Sequence, residues 1–397
     1  MTPVEEEKTD WRVVIFGVCL GGLAAFQQFK LPPALPLLIA RFGYSKTLAG
    51  SFMSVYALAG LVLSLPAGRY LGRKGPKHLI TAALSCFIIG NAIGLALPDN
   101  GWLMLASRVF ESVGFALLAI VGAVLATVYA RPADRPIAVA LWATWIPSGQ
   151  IISTLVAIPS VSVGLWRPLW VATALATALL WYWGVKLGRG GAFRPGSEGP
   201  AGKGSPQQTI PADKKWLMFL ASLMFGLWSG QYITYVTWLP QYLVETHGLD
   251  AGTAAKAYLV PSVIVIVFNL LTSRLLKARV NLALMLVVST VAEALCWFLI
   301  PQTTSNLQGL LSLAVYGGMS GVTATAIFTL PGELLGQNAP RGFASMMTGR
   351  NLGVLIGPVL LAQLVTATGG WTLIPPIFGA SCLLCAACGL RLGWRRT

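Results

Sequence analysis

Five charged residues lie inside long apolar stretches of this sequence, and their side chains are the first candidates for chemistry. They are Lys30, Arg108, Glu111, Glu293 and Arg350. A charged side chain in hydrocarbon costs about 2.5–3.5 kcal/mol on insertion scales, so such residues pair with one another or face a water-filled cavity. Arg108 and Glu111 are three residues apart, which brings them to one helix face and predicts a local ion pair.

Lys30 and Arg350 have no obvious acidic partner, and we expect both to be unpaired. Arg350 follows Arg341 by nine residues, which is about 14 Å of helix and places it near the middle of a bilayer. Two unpaired cations from opposite halves of the chain predict an anion site, in which Arg binds a carboxylate through two hydrogen bonds and Lys supplies a point charge. Two alternatives stay open for Lys30: outward snorkelling, or hydrogen bonds to carbonyls freed by Pro32 and Pro33.

Polar and aromatic residues could complete such a pocket. Gln27 precedes Lys30 by about one helical turn. The other candidates are Gln231, Tyr232, Tyr235, Trp142 and Trp145. Each aromatic residue taken alone is more often a packing residue or an anchor at the membrane interface. No metal site is predicted, because the closely spaced Cys382, Cys385 and Cys388 have no His or carboxylate near them.

The composition shows what kind of elements must carry these residues. The chain of 397 residues is 55% hydrophobic and 10% charged, whereas a soluble domain carries about 25% charged residues. About 20 apolar residues span a bilayer, so the apolar segments predict an all-α membrane protein with twelve transmembrane helices. We expect these helices at about 12–40, 45–70, 77–97, 102–129, 135–158, 167–187, 214–244, 251–276, 280–299, 307–331, 342–367 and 371–392.

The distribution of Lys and Arg predicts the orientation of the chain. Of 28 such residues, 21 fall at the chain ends and at one set of alternate helix junctions, and three lie inside helices. The other junctions receive only Arg41, Lys46, Arg167 and Lys256. Basic residues favour the cytoplasmic side, so we expect a multi-pass protein of the cell membrane with both termini in the cytoplasm. The net charge of +15 then reflects topology, and no nucleic-acid partner is predicted.

The chain divides into two predicted halves, 1–187 and 214–397, joined by a Gly-, Pro- and Ser-rich cytoplasmic linker at 188–213. Matching positions recur at offsets of 204 to 206 residues: Pro36 and Pro240, Gly43 and Gly248, Arg69 and Arg274, Arg135 and Arg341. Near-constant offsets predict two six-helix, pseudo-symmetric halves related by an axis along the membrane normal.

Several motifs resemble those of the major facilitator superfamily. Residues 68–77, GRYLGRKGPK, resemble the family's basic, glycine-rich loop after the second helix, although Gly72 stands where the family has an acidic residue. In the fourth predicted helix, Arg108, Glu111 and Gly114 are similar to the family's membrane-embedded Arg motif. The resemblance covers nearly the whole chain, and it implies the major facilitator fold and transport by alternating access.

Shorter stretches connect the chain with subfamilies. LPPALPLLIARFGYSKTLAGS and TWLPQYLVETHGL are similar to cyanate-permease-like transporters, and the Lys in the first helix is similar to that of monocarboxylate transporters. The family's antiporter signature in the fifth helix is absent, because Ile146-Pro147-Ser148-Gly149 stands there.

The resemblance also implies roles for single residues. The gating-loop candidates are Gly68, Arg73 and Lys74. Arg108 and Glu111 are the coupling candidates, with Glu111 as the proton-binding group, because their helix lines the family's cavity; a brace for the helix bundle is the alternative. Glu293 lies on the ninth helix, which is peripheral in the family, and we expect it to pack or to snorkel to the lipid interface.

We therefore expect a monomeric secondary active transporter for a small, carboxylate-like organic anion, coupled to protons and without a cofactor. No enzyme is predicted, because the sequence has no Walker loop and its two histidines, His78 and His247, stand at helix ends. A proton-coupled exporter of drugs or metabolites is the alternative. A membrane scaffold or sensor that keeps the fold without transport is a third possibility.

Overall fold

The computed structural model describes residues 9–190, 212–303, 306–336 and 339–394. Within these residues the chain is helical without strands, which confirms the predicted class. The first half contains α1 (Trp11–Phe29), α2 (Leu31–Phe42), α3 (Lys46–Lys74), α4 (Lys77–Ala96), α5 (Gly101–Val128), α6 (Arg135–Ala143), α7 (Trp145–Val161) and α8 (Arg167–Arg189). The second half contains α9 (Ala212–His247), α10 (Ala251–Lys277), α11 (Leu282–Phe298), a 3₁₀ turn (Ile300–Gln302), α12 (Leu307–Leu335), α13 (Ala339–Thr368) and α14 (Ile374–Trp394). Residues 191–211 of the predicted linker lie outside the described residues.

The helices of the described residues agree with twelve membrane spans. Ten are long and apolar enough to cross a bilayer, with α1 and α2 together forming one of them. The bent pair α6–α7 supplies an eleventh, and the shorter apolar helix α11 supplies a twelfth. The helices of the described residues are therefore approximately consistent with the predicted count, whereas the proposed boundaries of the two halves stay a prediction.

The first predicted helix, 12–40, is divided in two at Lys30. Pro32 and Pro33 begin α2 and lack the N–H groups that would bond to carbonyls four residues earlier. Side chains satisfy those carbonyls instead. Arg108 Nη2 donates to the carbonyl of Gln28 at 3.0 Å, and Ser153 Oγ donates to that of Phe29 at 3.0 Å. The sequence correctly predicts backbone carbonyls without a backbone donor, but Lys30 does not donate hydrogen bonds to the carbonyls of Gln28 and Phe29.

The fifth predicted helix, 135–158, is also broken. Helices α6 and α7 meet at Thr144 with a bend of 43°. Pro147 has no N–H for the carbonyl of Ala143, and the Thr144 hydroxyl bonds to the carbonyl of Leu141 at 2.7 Å. A proline at this place and a hydroxyl inserted into the backbone ladder together account for the bend.

The two halves touch along α3–α13, α7–α10 and α2–α9. At one end of these helices, Lys46 Nζ of α3 forms an ion pair with Glu245 Oε1 of α9 at 2.8 Å. At the opposite end, Arg69 of α3 and Ser345 of α13 are exposed. We name these the closed end and the open end. The sequence predicts the closed end to be extracytoplasmic.

Candidate functional site

A cavity of about 130 Å³ lies between the two halves. It is lined by α1, α6 and α7 of the first half and by α9, α10, α12 and α13 of the second. Most lining side chains are apolar, and the polar ones are Gln28, Ser229, Tyr232, Asn269, Ser320 and Arg350. An apolar pocket with a few convergent polar groups is typical of a small-molecule site. This cavity is therefore the candidate functional site.

Among the described residues, Arg350 is the only charged one that lines this cavity. Its Nη1 donates to Asn351 Oδ1 at 2.9 Å, and no carboxylate of the described residues forms an ion pair with it. The expectation that Arg350 is unpaired therefore agrees with the part of the chain that the structure describes. A guanidinium in a largely apolar cavity attracts anions and disfavours cations.

Glycines bring Arg350 to this place. Helix α13 packs against α9 so closely that a Cβ on Gly349 would lie 2.2 Å from the carbonyl oxygen of Ser222. A Cβ on Gly353 would lie 1.9 Å from the carbonyl oxygen of Gly226. Because the two backbones touch along this face, the residue between the glycines is held at a fixed depth beside the cavity.

Lys30 does not join Arg350, and the expectation that it is unpaired is wrong. Its ammonium is fully buried and forms an ion pair with Glu111 Oε1 at 2.8 Å. It also donates to Gln27 Oε1 at 2.6 Å and to Asn91 Oδ1 at 2.7 Å. Lys30 is not among the lining residues of the cavity, and its full burial leaves no room for snorkelling. Asn91 and Glu111 lie 61 and 81 residues away in the sequence. The local sequence therefore does not show that the Lys30 ammonium has hydrogen-bond partners.

The predicted pair of Arg108 and Glu111 is confirmed as an ion pair between Arg108 Nη1 and Glu111 Oε2. Both side chains are fully buried. Tyr56 donates its hydroxyl to Glu111 Oε2 at 3.1 Å. Together with Lys30, the cluster contains two cations and one carboxylate, so the negative charge of Glu111 is doubly compensated.

The structure places the remaining pocket candidates differently. Tyr232 lines the cavity, whereas Tyr235 is buried against Tyr316, with ring centroids 3.6 Å apart. Trp142 and Trp145 stack on each other with centroids 5.1 Å apart and do not line the cavity. They serve packing, which was the alternative for each aromatic residue. Gln27 belongs to the Lys30 cluster.

The gating-loop candidates are helical instead of forming a loop. Gly68, Arg73 and Lys74 lie in the last turns of α3, which ends only at Lys74. All three are exposed at the open end. The connection to α4 is reduced to Gly75 and Pro76, since Gly75 has a φ of 72° that ends the helix.

Glu293 of α11 is packed inside the second half, which was one of the two expectations for it. Its side chain is fully buried, so snorkelling to the lipid is wrong. Gln231 Nε2 donates to Glu293 Oε2 at 2.7 Å. Gln231 stands 204 residues after Gln27, the same offset as Pro36 and Pro240. That repeat was the available signal that a polar cluster of the second half mirrors the one around Gln27.

Comparisons with known proteins agree with this architecture. Residues 17–339 match the sequence model of the Major Facilitator Superfamily. The probable sulfoacetate transporter SauU of Cupriavidus necator is 25% identical over 415 residues, covering 94% of this chain and 92% of that protein. The uncharacterized MFS-type transporter YbcL of Bacillus subtilis is 22% identical over 260 residues, covering 63% of this chain and 62% of that protein.

Solved structures share the fold. The nucleoside transporter NupG superposes with a TM-score of 0.71 at 14% identity, covering 96% of this chain and 98% of that one. A bacterial homolog of the human lysosomal transporter Spinster, inward-facing and unoccupied, superposes with a TM-score of 0.68 at 14% identity, covering 97% and 95%. The family consists of transporters, which are not enzymes. The chain belongs to the Major Facilitator Superfamily and is a multi-pass membrane transporter of small molecules.

Proposed function

We propose that this protein is a secondary active transporter that carries a small organic anion across the cell membrane by alternating access, coupled to protons. The observation that carries the proposal is Arg350, a guanidinium that lines the cavity without an acidic partner among the described residues. A carboxylate or sulfonate would supply the missing negative charge and can accept two parallel hydrogen bonds from Arg.

Two further observations support an anionic substrate. The cavity is small, at about 130 Å³, and offers hydroxyl and amide groups beside the guanidinium. The relative SauU is described as a probable sulfoacetate transporter, and sulfoacetate is itself a small organic anion. The uncompensated guanidinium disfavours cationic drugs, which is why the exporter of drugs or metabolites stays the alternative.

The membrane potential supports a coupled mechanism, of which we propose proton coupling. Moving one negative charge into an inside-negative cell costs about 2.3 kcal/mol per 100 mV. Uptake of an anion therefore needs a co-transported proton or an exchanged anion. We propose the monomer as the transporting unit, with both termini in the cytoplasm, on the basis of the distribution of Lys and Arg.

The test is a binding titration on purified protein with sulfoacetate, acetate, a neutral sugar and a quaternary ammonium ion. Arg350→Ala removes the charge-assisted hydrogen bonds to the anion. The loss of one such bond, worth about 1.5–3 kcal/mol, is enough to lower anion affinity by about 10- to 100-fold, so we expect at least this loss. Arg350→Lys should recover part of it, since the ammonium lacks the planar fork. Arg274→Ala, which changes an exposed Arg of α10, should bind as the wild type does. Preferential binding of the ammonium ion, or full anion binding by Arg350→Ala, would favour the exporter instead.

A further inference from the structure

Glu293 of α11 stands at the centre of a polar cluster in the second half. Its Oε1 accepts hydrogen bonds from Trp228 Nε1 at 3.2 Å and from Thr323 Oγ1 at 2.9 Å. Its Oε2 accepts one from Gln231 Nε2 at 2.7 Å. Among the described residues no Lys, Arg or His forms an ion pair with it. The carboxyl group thus accepts three hydrogen bonds, but the part of the chain that the structure describes gives it no compensating cation.

Neutral groups face Glu293 from the neighbouring helices. Tyr232 approaches from α9, Tyr316 from α12, and Cys382 and Cys385 from α14, while Cys296 lies on the same helix. An ionised carboxylate in such a place loses its hydration, and its hydrogen bonds to neutral donors offset only part of that loss because no cation is in contact with it. Its protonated form avoids that loss. Glu111, by contrast, has two cations in contact with its carboxylate.

The hydrogen bonds around Thr323 accommodate a proton on Glu293. The Thr323 hydroxyl has one proton, yet three oxygen atoms lie within reach: Glu293 Oε1 at 2.9 Å, Ser289 Oγ at 2.7 Å and the carbonyl of Met319 at 3.0 Å. A backbone carbonyl only accepts. When Thr323 donates to Met319, its oxygen is free to accept a hydrogen bond from a protonated Glu293. The amide of Gln231 is oriented independently, because its Oε1 accepts from Trp297 and Tyr316 at 2.7 and 2.8 Å.

Two side chains of the cavity wall lie close to this carboxyl group. Trp228 and Ser320 both line the cavity. Trp228 bonds to Glu293 directly, and the Ser320 hydroxyl approaches the same carboxylate. Ser320 also stands one helical turn from Thr323 on α12. A rotation of either side chain, or a water beside Ser320, would connect Glu293 with the solution in the cavity.

We propose that Glu293 is the residue that takes up and releases the proton during transport, an inference that rests on the proposed proton-coupled function. Its carboxylate accepts a proton from water in the cavity and becomes a neutral carboxylic acid. The proton stays on Glu293 while Trp228 separates it from water. It is returned to water when the cavity faces the other side, which regenerates the carboxylate. Arg350 holds the anion across the same cavity, so anion and proton travel together.

The first test is independent of the substrate. The infrared band of a protonated carboxyl group is followed on the purified full-length protein while the pH is raised from neutral values, at which exposed carboxyl groups are already ionised, to alkaline values. We expect a band that disappears as the pH rises, that is absent in Glu293→Gln and that persists in Glu111→Gln. Glu293→Asp keeps an ionisable group and should show the band at a shifted frequency. A band that persists in Glu293→Gln, or the lack of any titrating band in the wild type, would overturn the proposal.

The second test separates this inference from the proposed function. Proteoliposomes are loaded with sulfoacetate, and both exchange of labelled sulfoacetate and its accumulation under an imposed pH gradient are measured. We expect Glu293→Gln to lose pH-driven accumulation and to keep exchange. Accumulation that survives in Glu293→Gln while the wild type is proton-driven excludes Glu293 as the coupling residue. If the wild type shows neither exchange nor accumulation of any anion, the proposed function fails, and the infrared titration still decides whether Glu293 binds the proton.

Discussion

The buried ammonium of Lys30 connects four helices of the first half. Lys30 follows α1 and reaches Asn91 on α4, Glu111 on α5 and Thr173 on α8, with its nitrogen 4.6 Å from the centroid of the Trp170 ring. Arg108 adds the carbonyls of Gln27 and Gln28 to the same network. Every charge in the cluster has a partner within hydrogen-bonding distance. We infer that the cluster is a brace that fixes the interior of this half.

A brace of this kind predicts a stability effect. In Lys30→Met, Glu111 loses one cation and Gln27 Oε1 loses its buried donor, while Asn91 Oδ1 keeps only the hydrogen bond from Thr173 Oγ1 at 2.8 Å. Removing the only partner of a buried charge costs about 3–5 kcal/mol, and the cost here is smaller because Arg108 still pairs with Glu111. We expect a lower Tm by tryptophan fluorescence in detergent. Lys256→Met, which changes an exposed Lys of α10, should unfold as the wild type does. A wild-type Tm in Lys30→Met together with lost anion binding would return Lys30 to the substrate site.

Local spacing was sufficient for some residues and insufficient for others. The three-residue spacing of Arg108 and Glu111 is enough to predict their ion pair. The partners of Lys30 lie 61 and 81 residues away, and no periodicity within one helix indicates which distant side chains a fold brings together. For the same reason Glu293 could not be placed, because its three donors come from α9 and α12.

Helix α13 illustrates what an element contributes to the site. Gly349, Gly353 and Gly357 stand four residues apart and form one face, which lies against Ser222, Gly226 and Gly230 of α9. Small residues at a spacing of four are typical of close helix contacts in membrane proteins, and α9 is the partner here. Prolines also lie next to the break between α1 and α2 and next to the bend between α6 and α7. Hydropathy does not detect these breaks, so each pair was predicted as one continuous helix.

Substitution of the glycine at the tightest contact should move the whole element. In Gly353→Ala the new Cβ would meet the carbonyl oxygen of Gly226 at 1.9 Å, and neither backbone can yield alone. Overpacking of this kind costs about 1–3 kcal/mol, and the displaced α13 carries Arg350 with it. We expect a lower Tm and weaker anion binding. Gly332→Ala in α12, where a Cβ would meet nothing within 4 Å, is the matched control and should keep both. Unchanged binding and Tm in Gly353→Ala would mean that α13 and α9 are not held this tightly.

At the scale of the molecule, the contacts between the halves are concentrated at the closed end. Glu245 accepts hydrogen bonds from Gln241 at 2.7 Å and from Trp371 at 2.8 Å, besides its ion pair with Lys46. Gly50 of α3 meets the carbonyl of Pro358 of α13 nearby. Deeper in the protein, Gln150 Nε2 donates to Ser262 Oγ at 2.7 Å between α7 and α10. The bonds to Gln241 and Trp371 lie within the second half and orient Glu245. Opening this end would have to break the contacts that join the halves, which are Lys46 with Glu245, Gly50 with Pro358 and Gln150 with Ser262.

The ion pair of Lys46 and Glu245 is the contact whose loss should change the population of open and closed states without disturbing either half. Its side chains are 26% and 28% exposed, and partly exposed pairs contribute up to about 1 kcal/mol, which is about a five-fold change in an equilibrium constant. In Glu245→Gln we expect more protein to be open at this end.

Spin labels at Asp99 and Leu307, which are exposed positions of opposite halves at the closed end, would report this opening as a longer distance between the labels. The labels are introduced in a background without the six native cysteines. Asp134→Asn breaks the ion pair with Arg131 inside the first half and should leave the distances unchanged. The exchanged pair, Lys46→Glu with Glu245→Lys, should restore the wild-type distribution, because the attraction between the halves is regained with the charges reversed. Identical distributions in the wild type and in Glu245→Gln would show that the apolar contacts alone hold this end closed.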